Sequence, residues 1–160
     1  MNKISFLKIN STIIDEIIEL SVEESQKQLI ANNEEWLAEA SFNDDSINYG
    51  IYLNDKPAGL ISLIDPRLLE SHDEHFQKEH LYVWRVMIDH HFQGKGLGSQ
   101  AINFSKKYAS IIGLKGVSLT TMDKEKGNAL SIYQKLGFIP TGRRLDDEIE
   151  LIFGLKEWSE

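Results

Sequence analysis

The sequence contains no cysteine, only three prolines and no long run of apolar residues. The absence of cysteine excludes a disulfide framework, a zinc site with thiolate ligands and a thiol nucleophile, and it fits a reducing compartment such as the cytoplasm. No apolar run approaches the roughly 18 residues that a membrane-spanning helix needs, and the first residues are not typical of a signal peptide. We therefore expect a cytoplasmic protein without a membrane partner.

Positive charge is also scarce. The chain has 17 Lys and Arg residues against 25 Asp and Glu residues, which gives a net charge of -8. Nucleic-acid-binding proteins usually carry basic surfaces that neutralise phosphates, so we expect no nucleic-acid partner. The same negative charge is compatible with a cationic substrate. A length of 160 residues is enough for a sizeable core, and we expect a single domain over residues 1–160.

Hydrophobic periodicity predicts secondary-structure elements in the order β-α-α-β-β-β-α-β-α-β-β. The first strand is expected from Ile4 to Ile9, the second helix from about Ser25 to Ala40, and a polar connector from Ser41 to Asn48. Asn54-Asp55-Lys56-Pro57 is typical of a hairpin turn, and another strand is expected from about His80 to Ile88. This order describes one α/β (α+β) domain with a mixed sheet.

Two later helices are predicted from their apolar faces. The longer one runs from about Gly98 to Ile112, and its apolar stripe consists of Leu97, Ala101, Phe104, Tyr108 and Ile111. The shorter one is capped by Asn128 and is followed by Gly137 at a position that favours left-handed backbone. Its buried face is expected to consist of Ala129, Ile132 and Leu136.

A glycine-rich stretch, Gln93-Gly94-Lys95-Gly96-Leu97-Gly98-Ser99, joins a predicted strand to the longer helix. Glycine lets the backbone turn tightly and lie against a ligand. The amides that open a helix are unpaired, and the helix dipole makes that end partly positive. Such a junction suits a phosphate or pyrophosphate group.

The spacing of these glycines distinguishes between three known phosphate-binding motifs. A P-loop requires Gly-Lys-Ser/Thr after the first glycine, but Lys95 lies between two glycines and no such tripeptide follows. A dinucleotide fingerprint requires Gly-x-Gly-x-x-Gly near a first strand, whereas this chain has Gly-x-Gly-x-Gly beyond its midpoint. The remaining pattern is Gln-x-x-Gly-x-Gly, formed by Gln93, Gly96 and Gly98.

This pattern, together with a second motif, resembles the GCN5-related N-acetyltransferases (the GNAT superfamily). The run from Ala129 to Phe138 matches the family pattern Ala-x-x-x-Tyr-x-x-x-Gly-Phe with Tyr133 at its centre, and the two motifs occur in the family's order and spacing. The resemblance covers most of the chain from about Tyr49 onward. It implies the family's mixed, mostly antiparallel central sheet flanked by helices. The flanking residues resemble a bacterial branch described as spermine/spermidine or diamine N-acetyltransferases.

The resemblance implies that acetyl-coenzyme A is the co-substrate. Backbone amides from Gln93 to Ser99 would hold its pyrophosphate, the backbone of Met87 and Ile88 would pair with the pantetheine arm, and Tyr133 would be the general acid for the departing thiolate. One departure from the family concerns an asparagine that contacts the pantetheine arm, because its position is occupied by Lys126. The nearby Asn128 either takes over that contact or only caps the following helix. The complete set of implied cofactor residues is Met87, Ile88, Gln93, Gly94, Lys95, Gly96, Leu97, Gly98, Ser99, Asn128 and Tyr133.

The sequence does not identify the general base. The alkylammonium substrate must lose a proton before it attacks, but the strand before the loop has no acid before Asp89. Glu79, His80 and a water relay are the alternatives. Asp89 and His90 lie next to the loop and can simply orient it. The five histidines do not offer three or four convergent ligands, so we expect loop histidines and no metal.

The resemblance places the amine acceptor near the N-terminal helices. Their acidic residues either line an amine site or form a solvated helix face. Trp36 and Trp84 either shape the acceptor pocket or belong to the core. The acidic residues in question are Glu16, Glu19, Glu23, Glu24, Glu34 and Glu35.

The interpretation is an acetyl-coenzyme A-dependent N-acetyltransferase that acts on a primary amine of a small molecule, in particular a polyamine or diamine. Direct attack of the amine in a ternary complex would transfer the acetyl group. The first alternative is the same reaction on another acceptor, such as an amino acid, an aminoglycoside-like drug or a protein N-terminus. The second is a non-catalytic acyl-coenzyme A sensor. A homodimer is expected only from the family's habit.

Overall fold

The computed structural model of this chain describes residues 2–23, 32–41, 46–71, 73–124 and 129–155. Within them, the secondary-structure elements follow the predicted order, which confirms the fold class. No described helix is long and apolar enough to cross a membrane. The helices are α1 (Ile14–Ile18), α2 (Asn33–Ser41), α3 (Leu97–Ile111) and α4 (Leu130–Lys135). The strands are β1 (Ile4–Lys8), β2 (Ser46–Leu53), β3 (Lys56–Ile64), β4 (His80–Ile88), β5 (Gly116–Met122), β6 (Ile139–Leu145) and β7 (Glu148–Gly154).

The strands form one seven-stranded sheet in the order β1-β2-β3-β4-β5-β7-β6. Pairing is antiparallel between β1 and β2, between β5 and β7, and between β6 and β7, whereas β4 and β5 are parallel. The parallel ladder runs from the pair His80 and Gly116 to the pair Val83 and Leu119. The sheet is therefore mixed and mostly antiparallel, as the family resemblance implies.

The residues group into two compact units. Unit 1 consists of Met1–Leu63 and Arg85–Ala101, and unit 2 consists of Ile64–Trp84 and Ile102–Glu160. Unit 1 contains the glycine-rich loop, and unit 2 contains the motif around Tyr133. The single-domain assignment of residues 1–160 stays a prediction.

In unit 1, β2 and β3 are joined by the predicted hairpin turn. Asn54 and Asp55 both have positive φ, at 50° and 69°. A two-residue hairpin turn with positive φ at both positions matches the right-handed twist of the flanking strands, and Asn and Asp tolerate that conformation. The hairpin brings buried side chains of β2 and β3 into the core of this unit. That core contains Ile17, Trp36, Tyr52, Leu60 and Met87.

The predicted connector before β2 is wrong at its end, because β2 begins at Ser46 rather than at Tyr49. The polar residues here form a chain of hydrogen bonds within the unit. The indole N–H of the buried Trp36 donates to the Ser62 hydroxyl, which donates to Oδ1 of Asn48. Polar side chains can occupy a strand when their hydrogen bonds are satisfied in this way. The polar composition of this segment therefore predicted a connector where the strand begins.

The predicted faces of α3 and α4 also need correction. Ile111 is 83% exposed, whereas α3 buries the small residues Ala101, Ser105 and Ala109. Small residues form a close-packing face that a hydrophobicity pattern underweights. In α4, Ile132 is 48% exposed and no residue is buried. The helix follows Ala129, whose side chain makes no capping hydrogen bond, and the predicted cap Asn128 lies outside the described residues.

Gly59 allows β3 to lie close to β4 in unit 1. A Cβ atom added at Gly59 would lie 2.4 Å from the carbonyl oxygen of Met87 and 3.0 Å from Cδ1 of Ile88. Since the first of these atoms belongs to the backbone, we expect Gly59→Ala to lower the free energy of unfolding by about 1–3 kcal/mol through overpacking. Urea denaturation followed by circular dichroism measures this loss.

Gly50→Ala is the matched control for Gly59→Ala. Its added Cβ would meet only side-chain atoms, first Cδ1 of Ile17 at 2.9 Å, which is the flexible end of that side chain. We therefore expect a smaller loss of stability for Gly50→Ala. An equal loss in the two variants would contradict the assignment of the cost to the backbone contact with Met87.

Candidate active site

The glycine-rich loop needs glycine at two of its positions for conformational reasons. Gly94 and Gly96 have φ values of 79° and 81°, in the left-handed region that favours glycine. Gly98 has no positive φ, and a Cβ atom added there would meet no described atom within 4 Å. The conformation of the chain therefore accounts for Gly94 and Gly96 but not for Gly98. Open space beside Gly98 is what a closely approaching ligand requires.

The loop ends at the first turn of α3, which begins at Leu97. The N–H of Gln100 donates to the carbonyl of Gly96 and makes the first intrahelical hydrogen bond. The amides of Leu97, Gly98 and Ser99 therefore have no acceptor within the helix. Such amides bind phosphate groups, and the positive end of the helix dipole adds to the attraction. These residues fit the pyrophosphate of coenzyme A.

Two side chains of the loop, those of Gln93 and Leu97, anchor it. The Gln93 amide donates to the carbonyl of Ile88 over 3.0 Å. Leu97 is buried with Leu53 and Ala58, and Lys95 is exposed. Gln93 and Leu97 thus hold the loop to β4 and to the core of unit 1.

A pocket of about 570 Å³ opens in unit 1 beside Met87 of β4. Its walls come from the end of α1 with the following segment and from the start of α2, and we call it the acidic pocket. Three of its residues are glutamates, Glu19, Glu34 and Glu35, all exposed. The complete lining consists of residues 18–22, residues 32–35 and Met87.

The three carboxylates of the acidic pocket differ in their hydrogen bonds. Oδ1 of Asn32 accepts the N–H of Glu35, and the Asn32 amide donates to Oε1 of Glu35. This reciprocal arrangement caps the N-terminus of α2, so Glu35 has a structural role. Glu19 and Glu34 remain as the carboxylates best suited to bind a cation.

Asn33 is a pocket residue that sequence reasoning missed. It is 2% exposed, and its amide donates to the carbonyls of Ile17 and Leu20 over 2.6 and 3.3 Å. It thereby holds the end of α1 against α2. Its position inside the predicted second helix gave no sign of this role, because the two carbonyls lie more than ten positions away in the sequence.

The other predicted substrate residues that the structure describes are not in the lining of the acidic pocket. Glu23 is exposed and outside its lining, and Glu24 lies outside the described residues. Trp36 is 0% exposed, and Arg85 stacks over its ring while pairing with Glu39 over 2.7 Å. A side chain without exposed surface cannot contact a substrate, so Trp36 belongs to the core. Trp84 is half-buried in unit 2.

Tyr133 lies on α4 in unit 2 and is half-buried. Its ring centroid is 6.1 Å from that of Phe138. Burial and the negative charge of Glu148 raise the pKa of Tyr133 to about 12. None of the residues that the structure describes forms a hydrogen bond with the Tyr133 hydroxyl. This phenol is therefore protonated at neutral pH and can donate to a ligand.

Lys106 holds the C-terminal end of α4, and the sequence analysis did not single it out. Its Nζ donates to the carbonyl of Leu136 and lies 3.8 Å from the centroid of the Phe153 ring. A cation is favourable at a helix C-terminus and over an aromatic face. Burial lowers the pKa of Lys106. No periodicity could have revealed this contact, because it joins residues 30 positions apart.

The two candidate bases in unit 2 differ in their suitability. Glu79 forms an ion pair with Lys115 over 2.9 Å, and that hydrogen bond lowers its pKa. A lowered pKa makes the carboxylate a weaker base. The Nδ1–H of His80 donates to the carbonyl of Lys78 over 2.8 Å, which leaves Nε2 as its basic nitrogen. His80 and a water relay are therefore the stronger candidates.

One cluster in the described part of the chain has the composition of a metal site. Ligand atoms of Asp89, His90 and His91 lie within 4.8 Å of one another. Both carboxylate oxygens of Asp89 already accept hydrogen bonds, from the Ser21 N–H and from His91. The arrangement is accounted for without an ion. His72 lies outside the described residues, and the expectation of no metal stays a prediction.

Comparison with known proteins adds a family and several related folds. The family described as the acetyltransferase (GNAT) family matches residues 12–138. The structure is similar to that of the PaiA N-acetyltransferase from Thermoplasma acidophilum in complex with coenzyme A, with 16% identity, a TM-score of 0.69, and coverage of 96% of this chain and 99% of that one.

Two further solved structures are similar at comparable levels. The ribosomal-protein-S18-alanine N-acetyltransferase from Escherichia coli has 14% identity and a TM-score of 0.67, with 100% of this chain and 97% of that one covered. The dodecameric spermidine N-acetyltransferase from Vibrio cholerae has 14% identity and a TM-score of 0.66, with 94% and 93% covered. At these identities the likeness shows the fold, while the acceptors differ among the similar proteins.

Proposed function

Because the chain belongs to the acetyltransferase (GNAT) family, we propose that it transfers the acetyl group of acetyl-coenzyme A to an amine of a small polyamine or diamine. In this reaction the amine nitrogen forms a bond to the acetyl carbon while the bond from that carbon to sulfur breaks. The acceptor ammonium first loses one proton to the general base or to water; the attacking amine loses a second proton as the amide forms, and the sulfur gains one. The bound thioester supplies the activated acetyl group, and the residues below bind, orient and protonate.

The glycine-rich loop is the proposed binding site for the pyrophosphate of acetyl-coenzyme A. Its support is the set of amides at Leu97, Gly98 and Ser99, which have no acceptor within α3, and the open space beside Gly98. The backbone of Met87 and Ile88 would hold the pantetheine arm, as the motif implies. Asn128, the remaining proposed contact, lies outside the described residues.

Tyr133 is the proposed general acid. Its phenol is protonated at neutral pH because burial and Glu148 raise its pKa to about 12. A phenol of that pKa is a weaker acid than a thiol, whose pKa is near 8.5. The proton transfer to sulfur therefore depends on the favourable formation of the amide. The motif around Tyr133 carries the assignment, and the absence of a hydrogen-bonded partner within the described residues supports it.

The acidic pocket is the observation that carries the acceptor class. Glu19 and Glu34 are negative, while Leu20 and Met87 are apolar. A polyamine combines separated ammonium groups with methylene chains, so it matches both kinds of surface. The position of Met87 in the lining supports the assignment, because the family resemblance implies that the backbone of this residue pairs with the pantetheine arm that carries the thioester. The net charge of -8 adds a general attraction for cations.

The proposal predicts a selective effect of Glu19 and Glu34 on binding of the acceptor. For Glu19→Gln and Glu34→Gln, we expect the KM for spermidine to rise by roughly 3- to 10-fold each, since a charge-assisted contact at an exposed site contributes about 1 kcal/mol. The kcat should change little, because these carboxylates are expected to stabilise the bound substrate and the transition state equally. Release of the coenzyme A thiol measures both constants.

The matched control is Asp55→Asn, which removes one negative charge from the exposed hairpin turn of the same unit. It should leave the KM for spermidine unchanged. An amine panel with putrescine, spermidine, spermine, amino acids, an aminoglycoside and an N-terminal peptide tests the acceptor class itself. Turnover of another amine while all three polyamines fail would overturn the polyamine assignment. Binding of coenzyme A without acetylation of any amine would favour a sensor.

A further inference from the structure

Asp89 joins the wall of the acidic pocket to the turn that leads into the glycine-rich loop. It follows β4 directly and is 5% exposed. Its Oδ1 accepts the backbone N–H of Ser21, a lining residue of the pocket, over 2.9 Å. Its Oδ2 accepts the backbone N–H and the Nδ1–H of His91 over 3.1 and 2.9 Å. One carboxylate thus bonds to both segments.

A backbone hydrogen bond also joins these two segments. The N–H of His90 donates to the carbonyl of Ser21 over 2.9 Å. Both backbone polar groups of Ser21 are therefore bonded to the turn at residues 89–92. On its other side, the same pocket wall is held by the amide of Asn33. The wall is therefore held at Leu20 and at Ser21 by specific hydrogen bonds.

The turn leads directly into the loop. Asp89 caps the single 3₁₀ turn His90–Phe92, and Gln93 follows it. Burial alone would raise the pKa of Asp89, but the hydrogen bonds from Ser21 and His91 hold it below its ordinary value. The group therefore stays a carboxylate with two acceptor oxygens at neutral pH. Ordering of the loop by a ligand acts on the same turn that holds Ser21.

From these contacts we propose that Asp89 is a positioning residue that couples occupancy of the glycine-rich loop to the order of the acidic pocket wall. Binding of coenzyme A then restricts residues 18–22 and prepares the pocket for the acceptor amine. This inference rests on the proposed function, since it needs coenzyme A in the loop. It predicts that the two substrates bind synergistically, because a ligand that orders a shared element lowers the cost of ordering for the second.

The substitution Asp89→Asn tests the two-sided link without changing the size of the side chain. An amide has one acceptor oxygen, whereas a carboxylate has two. If Oδ1 of the asparagine keeps the Ser21 N–H, its NH₂ group faces the N–H and Nδ1–H of His91, which are donors as well. The side chain of the variant therefore cannot accept from Ser21 and from the backbone N–H of His91 at once, and the hydrogen bond from His90 to the carbonyl of Ser21 is the contact between the segments that remains.

Amide hydrogen exchange with and without coenzyme A measures the coupling, with no acceptor present. In the wild-type protein we expect coenzyme A to slow exchange in residues 93–99 and also in residues 18–22, the latter by roughly 5- to 10-fold. In Asp89→Asn, slowing should persist in residues 93–99 and be clearly reduced in residues 18–22, where only the backbone hydrogen bond from His90 remains. A purely structural role of Asp89 would alter exchange in residues 18–22 equally with and without coenzyme A.

The matched control is Asp65→Asn. Asp65 is also a buried aspartate at the end of a strand, caps the 3₁₀ turn Pro66–Leu68, and accepts from the backbone N–H and the side chain of Arg67. The control loses a comparable cap but neither of the Asp89 contacts, so the coenzyme A-dependent slowing in residues 18–22 should remain. His91→Ala, at a residue with an exposed side chain, should give slowing between wild type and Asp89→Asn, and it serves if that variant does not fold.

The outcomes separate the inference from the proposed function. The coupling would be overturned if coenzyme A did not slow exchange in residues 18–22 of the wild-type protein. It would also be overturned if that slowing were unchanged in both Asp89→Asn and His91→Ala. Absence of slowing in residues 93–99 would overturn both the proposed function and the inference. Failure of polyamines as acceptors, with the coupling intact, would overturn only the acceptor class.

Discussion

Replacement of Tyr133 by phenylalanine is expected to lower kcat by on the order of 100-fold or more, which is the usual contribution of a general acid. The substitution removes only the hydroxyl, so the ring contact with Phe138 should be kept. The affinity for coenzyme A should stay nearly the same, because the proposed contribution of the hydroxyl is made to the departing sulfur during the reaction. Steady-state thiol release and titration calorimetry with coenzyme A measure the two quantities.

Tyr108→Phe is a suitable control for the loss of a phenolic hydroxyl, since Tyr108 lies on α3 of the same unit and has no proposed role. Its kcat should equal that of the wild-type enzyme. The pH profile gives a second check. Because burial and Glu148 raise the pKa of Tyr133 to about 12, ionisation of this phenol should cause no loss of kcat up to about pH 10. An undiminished kcat in Tyr133→Phe would refute its role as general acid.

Replacement of Gly98 by alanine is expected to separate ligand binding from stability. Apart from its chain neighbours and the adjacent backbone of α3, no described atom lies within 4 Å of the added Cβ, and Gly98 has no positive φ, so the free protein should accept the methyl group. Alanine in a helix is favoured over glycine by about 0.5–1 kcal/mol, so stability should stay constant or increase. If the pyrophosphate lies against Gly98, the methyl group should weaken coenzyme A binding by roughly 10- to 100-fold, the equivalent of about 1–3 kcal/mol of steric cost.

The glycine at position 154 offers a control of the same kind. Gly154 also has open space around an added Cβ and no positive φ, but it lies at the end of β7 in unit 2. Gly154→Ala should leave the affinity for coenzyme A unchanged in titration calorimetry. Normal affinity in Gly98→Ala would mean that the pyrophosphate does not approach this position, and a loss of stability would mean that the space beside Gly98 is used by the protein itself.

The order of helices and strands was predictable because it depends on local patterns. Asn54 and Asp55 identify their turn by their own conformational preferences, and the strand from His80 to Ile88 was predicted with the bounds that the structure has. The errors occurred where packing overrides composition. Ser46 to Asn48 form a strand because their polar groups are satisfied by distant residues, and Ile132 is exposed although its spacing is that of a buried face.

The sequence by itself determined where the glycine-rich loop and the motif around Tyr133 lie, because glycine conformation and helix start follow from adjacent residues. Their proposed roles toward coenzyme A are what the family resemblance implies. Only the tertiary structure decided which carboxylates share a pocket, that Trp36 is inaccessible, and that Asp89 binds Ser21 from 68 positions away. Contacts between residues so distant along the chain depend on the folded backbone, and no local pattern of side chains records them.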